Sequence, residues 1–156
     1  MIMQEDYISK IRKHLGHEPI LIPHAVAIVF NEQNDVLIEV RQDDGFLDFP
    51  GGAIDIVEEV EDALKRELFE ETGLFADEIE LFKIYSGELT RYKYMNGDVI
   101  YGVDIFYIVK KYHGQLKAQE NEVKELKFMK LEDINRPVSS RNKQVVLDLK
   151  EYVKRS

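Results

Sequence analysis

Apolar residues recur at Tyr7, Ile8, Ile11 and Leu15, the three-and-four spacing of an amphipathic helix that closes near Gly16. After Pro19, the run His24-Ala25-Val26-Ala27-Ile28-Val29-Phe30 is apolar at nearly every position, as in a buried strand. Turn formers fill Asn31 to Asp35, and Val36-Leu37-Ile38-Glu39-Val40 is expected to return as the second arm of a hairpin. Arg41 to Gly45 is a loop leading through Phe46-Leu47-Asp48-Phe49 to Pro50-Gly51-Gly52, where bare backbone can approach a ligand. A helical pattern runs from about Glu58 to Thr72 and stops at Gly73, the residue type that ends helices in a left-handed turn. Ile79 to Tyr85 and Val99 to Val109 read as strands, with Asn96-Gly97-Asp98 turning the chain into the second and His113-Gly114 ending it. Val123 to Met129 is a further strand, Leu131-Glu132-Asp133 begins a turn or short helix, and Ser139 or Ser140 caps a last helix carrying Val145, Val146, Leu149 and Val153. The order helix, strands, helix, strands, helix predicts an α/β fold, a mixed sheet covered on both faces. With no repeat, low-complexity tract or linker, the 156 residues are expected to form one domain, 1–156.

The second helix carries its charge on an unexpected side. At about 100° per residue, Glu67 and Glu71 lie about 40° apart, with Glu70 about 60° to the other side of Glu67. Val60, Ala63, Leu64 and Leu68 fall within about 80° of Glu71, so carboxylates share the inward, apolar side. A solvated acidic face would lie opposite the leucines. Like charges at this spacing repel, and more strongly when half buried, so an empty site is expected to be strained around Glu67. Arg66 can reach Glu70 one turn on, but one guanidinium cannot easily neutralise three carboxylates. A hard divalent cation can, and Mg²⁺ takes one or two carboxylates, waters and substrate phosphates.

These residues carry a resemblance. Gly52, Glu58, Arg66, Glu67, Leu68, Glu70, Glu71, Gly73 and Leu74 fill every position of a pattern, G-x5-E-x7-R-E-U-x-E-E-x-G-U with U a bulky aliphatic, that resembles the Nudix box. Chance matching is on the order of 10⁻⁸ per starting position. The resemblance extends over roughly residues 20 to 135, with three departures: Val57 where a glycine commonly precedes the first box glutamate, Asp55 for a glutamate, and Leu47 for a frequent tryptophan. It implies an α/β/α sandwich with a central mixed sheet. It also implies a Mg²⁺-dependent hydrolase, with Mn²⁺ able to substitute, acting on a nucleoside diphosphate linked to a further group. ADP-ribose, other nucleotide sugars, dinucleoside polyphosphates and oxidised nucleoside triphosphates all stay open.

On that resemblance, Glu70 and Glu71 are expected as metal ligands, Glu67 as ligand or general base, and the carbonyl of Gly51 as a further ligand. Arg66 is expected to align a box carboxylate, with Glu58 pairing it or supporting the loop. Glu122, just before a strand, is where several such enzymes carry another carboxylate that binds metal or acts as base. Arg91-Tyr92-Lys93-Tyr94 reads either as a phosphate- and base-holding segment or as an exposed strand edge. His24 reads as a histidine at a strand start.

Composition narrows the partners. The net charge of −9 argues against a nucleic-acid polymer, whose binding rests on Lys and Arg against phosphate. A small nucleotide survives that test, because a metal supplies positive charge locally. The absence of cysteine removes thiolate chemistry, and with it the cysteine-dependent isoprenoid diphosphate isomerases that use this fold. No apolar run approaches the ~18 residues of a membrane span, and MIMQEDYISKIRKHLG lacks the apolar centre of a signal peptide, so a cytoplasmic protein is expected. A homodimer stays open. The competing reading is a non-catalytic module of the same family that senses a nucleotide without cutting it; the complete set of carboxylates and the lack of a segment long enough for a winged helix weigh against it.

Overall fold

The computed structural model describes residues 7–119 and 123–156. Helix α1 (Tyr7–Leu15) precedes strand β1 (Ile20–Val29), followed by β2 (Val36–Arg41), β3 (Leu47–Asp48) and β4 (Gly51–Ala53). Helix α2 (Val60–Thr72) leads into β5 (Leu74–Tyr85), a 3-10 turn at Gly87–Thr90, β6 (Tyr92–Lys93) and β7 (Val99–Gly114). Strand β8 (Val123–Met129), a second 3-10 turn at Leu131–Asp133 and helix α3 (Ser140–Arg155) complete the order.

The strands form two sheets. One is mixed, in the order β4-β1-β7-β5 with β6 also on β7; the other is antiparallel, β3-β2-β8. In the first, β1 runs parallel to β7 over its whole length, from Ile20 opposite Ile100 to Val29 opposite Val109, while β4 and β5 are antiparallel. The expected hairpin between β1 and β2 is not formed. Only a bridge between Phe30 and Val36 joins them: β1 pairs with β7 along its length and with β4 over His24–Val26, and β2 belongs to the second sheet.

Parity along the strands divides the interior into two layers. Ala25, Ala27 and Val29 face α2 with Leu37, Leu64, Leu68 and Tyr107. Val26 and Ile28 face α3 with Ile38, Phe49, Phe106, Val145 and Leu149. Helices thus cover both faces, as in an α/β/α sandwich, and each fully buried leucine contributes about 1.5–3 kcal/mol over its exposed state. Alanines beneath α2 let that helix lie close on the sheet. Ser139 caps α3, its hydroxyl accepting from the Asn142 N–H at 3.1 Å. Among the described residues no helix is long and apolar enough to cross a membrane.

Candidate active site

Helix α2 begins two residues later than the periodicity predicts, because Val57 and Glu58 are used by the preceding turn. Val57 sits at φ 62°, the left-handed region that disfavours β-branched residues, and its side chain is fully exposed. The turn places Glu58 so that its Oε1 accepts from the Asp55 N–H at 3.0 Å and its carboxylate meets Arg66. At the other end Gly73, at φ 79°, sends its N–H to the Phe69 carbonyl.

Arg66 is the hub of the helix's polar side. It donates to both oxygens of Glu58 at 2.7 and 2.9 Å, to Glu67 Oε1 at 2.8 Å, to Glu70 Oε2 at 3.3 Å and to the Ala53 carbonyl at 3.2 Å. The hydrogen bond from Arg66 outweighs burial and holds Glu58 below the usual carboxylate range. The arginine thus ties the loop before α2 to the helix and fixes Glu67 through one oxygen.

Glu71 points the other way, into the interior, and is 5 % exposed. Its Oε2 accepts the Gly51 N–H at 3.1 Å, and its carboxyl shares a hydrogen bond with Glu39 of β2, itself 6 % exposed. Burial first, then the hydrogen bond and charge of Glu39 and the charge of Glu67, push the Glu71 carboxyl up to about 12. The two acids therefore hold a proton between them when nothing else neutralises them. Two glycines make this geometry fit. A Cβ on Gly52 would lie 2.5 Å from the Glu67 carboxylate carbon, and one on Gly51 would strike the Ala25 carbonyl and the Val26 Cα of β1.

These side chains line one end of a cavity of about 1150 Å³. Its other end is polar too. His24 Nδ1 lies 2.7 Å from Asp104 Oδ1; Arg141 donates to Asp104 Oδ2 and to Asp48 Oδ1, both at 2.9 Å; Asn142 Nδ2 donates to the same Asp48 oxygen at 2.8 Å. Arg41 stacks on Tyr92, whose hydroxyl donates to Asp44, so β6 is clipped to the loop after β2. Helix α1 walls the rim, anchored by Arg12, which donates to the carbonyls of Gly16, Glu18 and Val99.

The structure thus brings Gly51, Arg66, Glu67, Glu70 and Glu71 into one region, with unequal placement: Glu71 buried, Glu67 half-buried, Glu70 exposed beside Arg66. Glu122 lies outside the described residues. Tyr92 and Lys93 pair with β7 as a short strand, and Arg91, Tyr92 and Tyr94 line the cavity. Glu39 is the residue that sequence reasoning passed over. Its signal was present: a carboxylate inside an apolar strand, on the same parity as Leu37, faces α2. Among the described residues no three acidic or histidine side chains converge as a ready-made metal cluster, since Glu67 is drawn to Arg66 and Glu71 to Glu39. The donor set nevertheless suits a hard cation. It is all oxygen, closely spaced and partly buried, and a divalent ion would replace the shared proton.

Comparison with known proteins agrees with this fold. A family model, the NUDIX domain, matches residues 21–149. The 8-oxo-dGTP diphosphatase of Escherichia coli (strain K12) is 31 % identical over 102 residues, spanning 63 % of this chain and 73 % of that protein. The crystal structure of a MutT NUDIX hydrolase from Burkholderia pseudomallei superposes with a TM-score of 0.69 at 21 % identity, covering 82 % of this chain and 96 % of the other. The NUDIX domain of Shewanella oneidensis NrtR, crystallised with ADP ribose, gives 0.66 at 21 % identity and covers 97 % of this chain and 99 % of that one. At such identities the two structures speak for the fold alone. With its family match spanning most of the sequence, the chain belongs to the NUDIX family and is a Nudix pyrophosphohydrolase.

Proposed function

We propose that the chain hydrolyses the diphosphate bridge of a purine nucleoside triphosphate with the help of a divalent cation, and that 8-oxo-dGTP is the first substrate to test. The observation that carries this reading is the buried Glu39–Glu71 pair beside half-buried Glu67, at one end of a cavity whose far end is polar. At about 1150 Å³ the cavity has room for a whole nucleotide, since small-molecule sites typically run to roughly 300–1,000 Å³. The oxidised guanine comes from the name of the Escherichia coli relative.

In this reading Glu70, Glu71 and Glu39 would hold Mg²⁺, or Mn²⁺ in its place, with the Gly51 carbonyl and Glu122, while Glu67 would serve either as a further ligand or as the general base. When bound, the ion offsets phosphate charge and makes a water more acidic. Arg66 keeps Glu67 at a fixed height above β4, so Glu67 is pre-positioned to take the proton of the attacking water; Glu122 is its rival for that role. Cleavage should depend on added Mg²⁺ and stop in chelator, and pyrophosphate should appear without a coupled phosphatase. Glu71→Gln should retain the fold and lose at least ~10²-fold in kcat. Wild-type rates in that variant, or undiminished turnover in excess chelator, would sink the assignment.

A second substrate class is favoured by α1. That helix walls the cavity, and the Shewanella domain crystallised with ADP ribose is matched over nearly this whole chain. A nucleoside diphosphate sugar therefore belongs in the same assay panel. Tight binding of such a compound without turnover, in the presence of Mg²⁺, would instead mark a sensing module.

A further inference from the structure

His24 lies on β1 opposite Ala53 of β4 and Asp104 of β7. Its neighbour Ala25 pairs with Gly52, the residue against Glu67, so strand alternation puts His24 on the other face of the sheet, the one α3 covers. Strand β4 is a three-residue edge, and the cavity reaches around it from Glu67 to His24.

The polar groups at this end are built in at a cost. Asp104 is 2 % exposed, and Gly102 leaves the space its carboxylate occupies, since a Cβ there would collide with it. Burial pulls the Asp104 carboxyl upward, but the His24 hydrogen bond and the Arg141 charge outweigh it and hold the group below its usual value. An ionised carboxylate only accepts, so His24 Nδ1 carries the hydrogen of their 2.7 Å contact. That fixes the tautomer. In the neutral ring Nε2 is a lone-pair acceptor, and among the described residues it meets no protein donor. Asn142 is spent by contrast: its amide hydrogens go to Asp48 and to the Leu47 carbonyl, and its oxygen accepts from Arg141. Arg141 and Asp48 already bind α3 to the sheet region, so His24 is not needed for that tie.

We propose that His24, oriented by Asp104, reads the nucleobase by accepting a hydrogen bond at Nε2 from an N–H on the base edge. The inference rests on the nucleotide-hydrolase reading above. It assigns specificity to a residue outside the acidic helix, and it names the chemistry selected: a base with a ring N–H, as in hypoxanthine, guanine or an 8-oxopurine, over one presenting only lone pairs.

The test compares kcat/KM for dITP, dGTP, 8-oxo-dGTP and the triphosphate of unsubstituted purine deoxyriboside, all with Mg²⁺. The first three should exceed the last by at least about tenfold, since a site built to hydrogen-bond a group discriminates strongly against its absence. In His24→Leu the ratios should collapse to within about threefold, and in His24→Gln, which keeps an acceptor, part of the preference should return. Melting curves establish that both variants fold. Ratios unchanged in His24→Leu would overturn the inference while leaving metal-dependent hydrolysis standing. Wild-type ratios near one would overturn it even if neither variant folds. No Mg²⁺-dependent turnover of any triphosphate would instead remove the reading beneath it.

Discussion

Glu39 of β2 and Glu71 of α2 meet carboxyl to carboxyl in the interior, each about one-twentieth exposed, and share a hydrogen bond. That contact needs a proton, so folding of the metal-free protein is linked to pH. The raised Glu71 affinity lifts the group from 4.5 toward about 12. A carboxyl that binds its proton more tightly when folded contributes stability fully present below the unfolded value, and that stability is lost as pH rises toward the folded one. In chelator, the melting temperature should therefore fall as pH is raised from about 5 to 9, and Glu71→Gln should flatten the decline. A flat wild-type profile would show that the pair holds no shared proton.

Removing one charge while keeping a hydrogen-bond partner separates stability from metal binding. Glu39→Gln should raise the melting temperature of the metal-free protein at pH 8 and shrink the further rise produced by Mg²⁺, because a cation that binds only the native state stabilises by mass action. Calorimetry with and without Mg²⁺ measures both. An undiminished Mg²⁺ effect would remove Glu39 from the cation's surroundings. Relief was expected from sequence at Glu67, but Glu67 is bonded to Arg66 at 2.8 Å, so neutralising it should destabilise instead.

Two adjacent glycines should fail differently. Gly51→Ala drives a methyl into the β1 backbone, which cannot step aside, so its main effect should be on stability. Gly52→Ala meets only the end of the Glu67 side chain, which can swing away. That variant should lose less stability than Gly51→Ala, at most the Glu67–Arg66 contact, yet lose ~10-fold or more in kcat, from misplacing a reacting group. Comparing melts with initial rates distinguishes them; equal damage to both properties in the two variants would contradict the geometry.

Val57→Gly should stabilise. A left-handed conformation costs a non-glycine residue about 1–2 kcal/mol, while glycine's extra freedom in the unfolded chain returns about 0.5–1 kcal/mol of that. The net gain of several tenths of a kcal/mol should appear as a rise of about 1–3 °C in the melting temperature. A lower value would show that the valine side chain has a contact worth more than the backbone strain.

Much of this local geometry is legible in the sequence because its logic is local. Helical phase alone turned Glu71 inward with Leu64 and Leu68, and spacing of four put Arg66 beside Glu70. Gly73 ended the helix where its left-handed φ requires. Apart from the start of α2, the failures are long-range. Nothing near Val36 says that β1 pairs with strands from residues 51–53 and 99–114, so the hairpin looked natural. His24 looked like an ordinary strand start because its partner Asp104 is 80 positions away. Glu39 was read as one polar position in an arm of a hairpin, whereas β2 is covered on both sides and leaves no solvent face for it. The extra length of β5 before Ile79 escaped for a similar reason: Leu74 to Glu78 pair with Lys111 to Gly114 through bulges, which break the alternation that marks a strand.

The helix α1 lies before the stretch matched by the family model, yet it forms part of the cavity wall. It is tied to the rest of the molecule through Arg12, which reaches the Val99 carbonyl at 2.7 Å, and through an apolar contact of Ile8 and Ile11 with Ile20, Ile22 and Ile100. Aperture and reactive groups are therefore written in separate stretches of chain. Substitutions along α1 can reshape which molecules enter while the acidic helix and its glycine loop stay as they are, so related chains could diverge in diet without having to rebuild their chemistry.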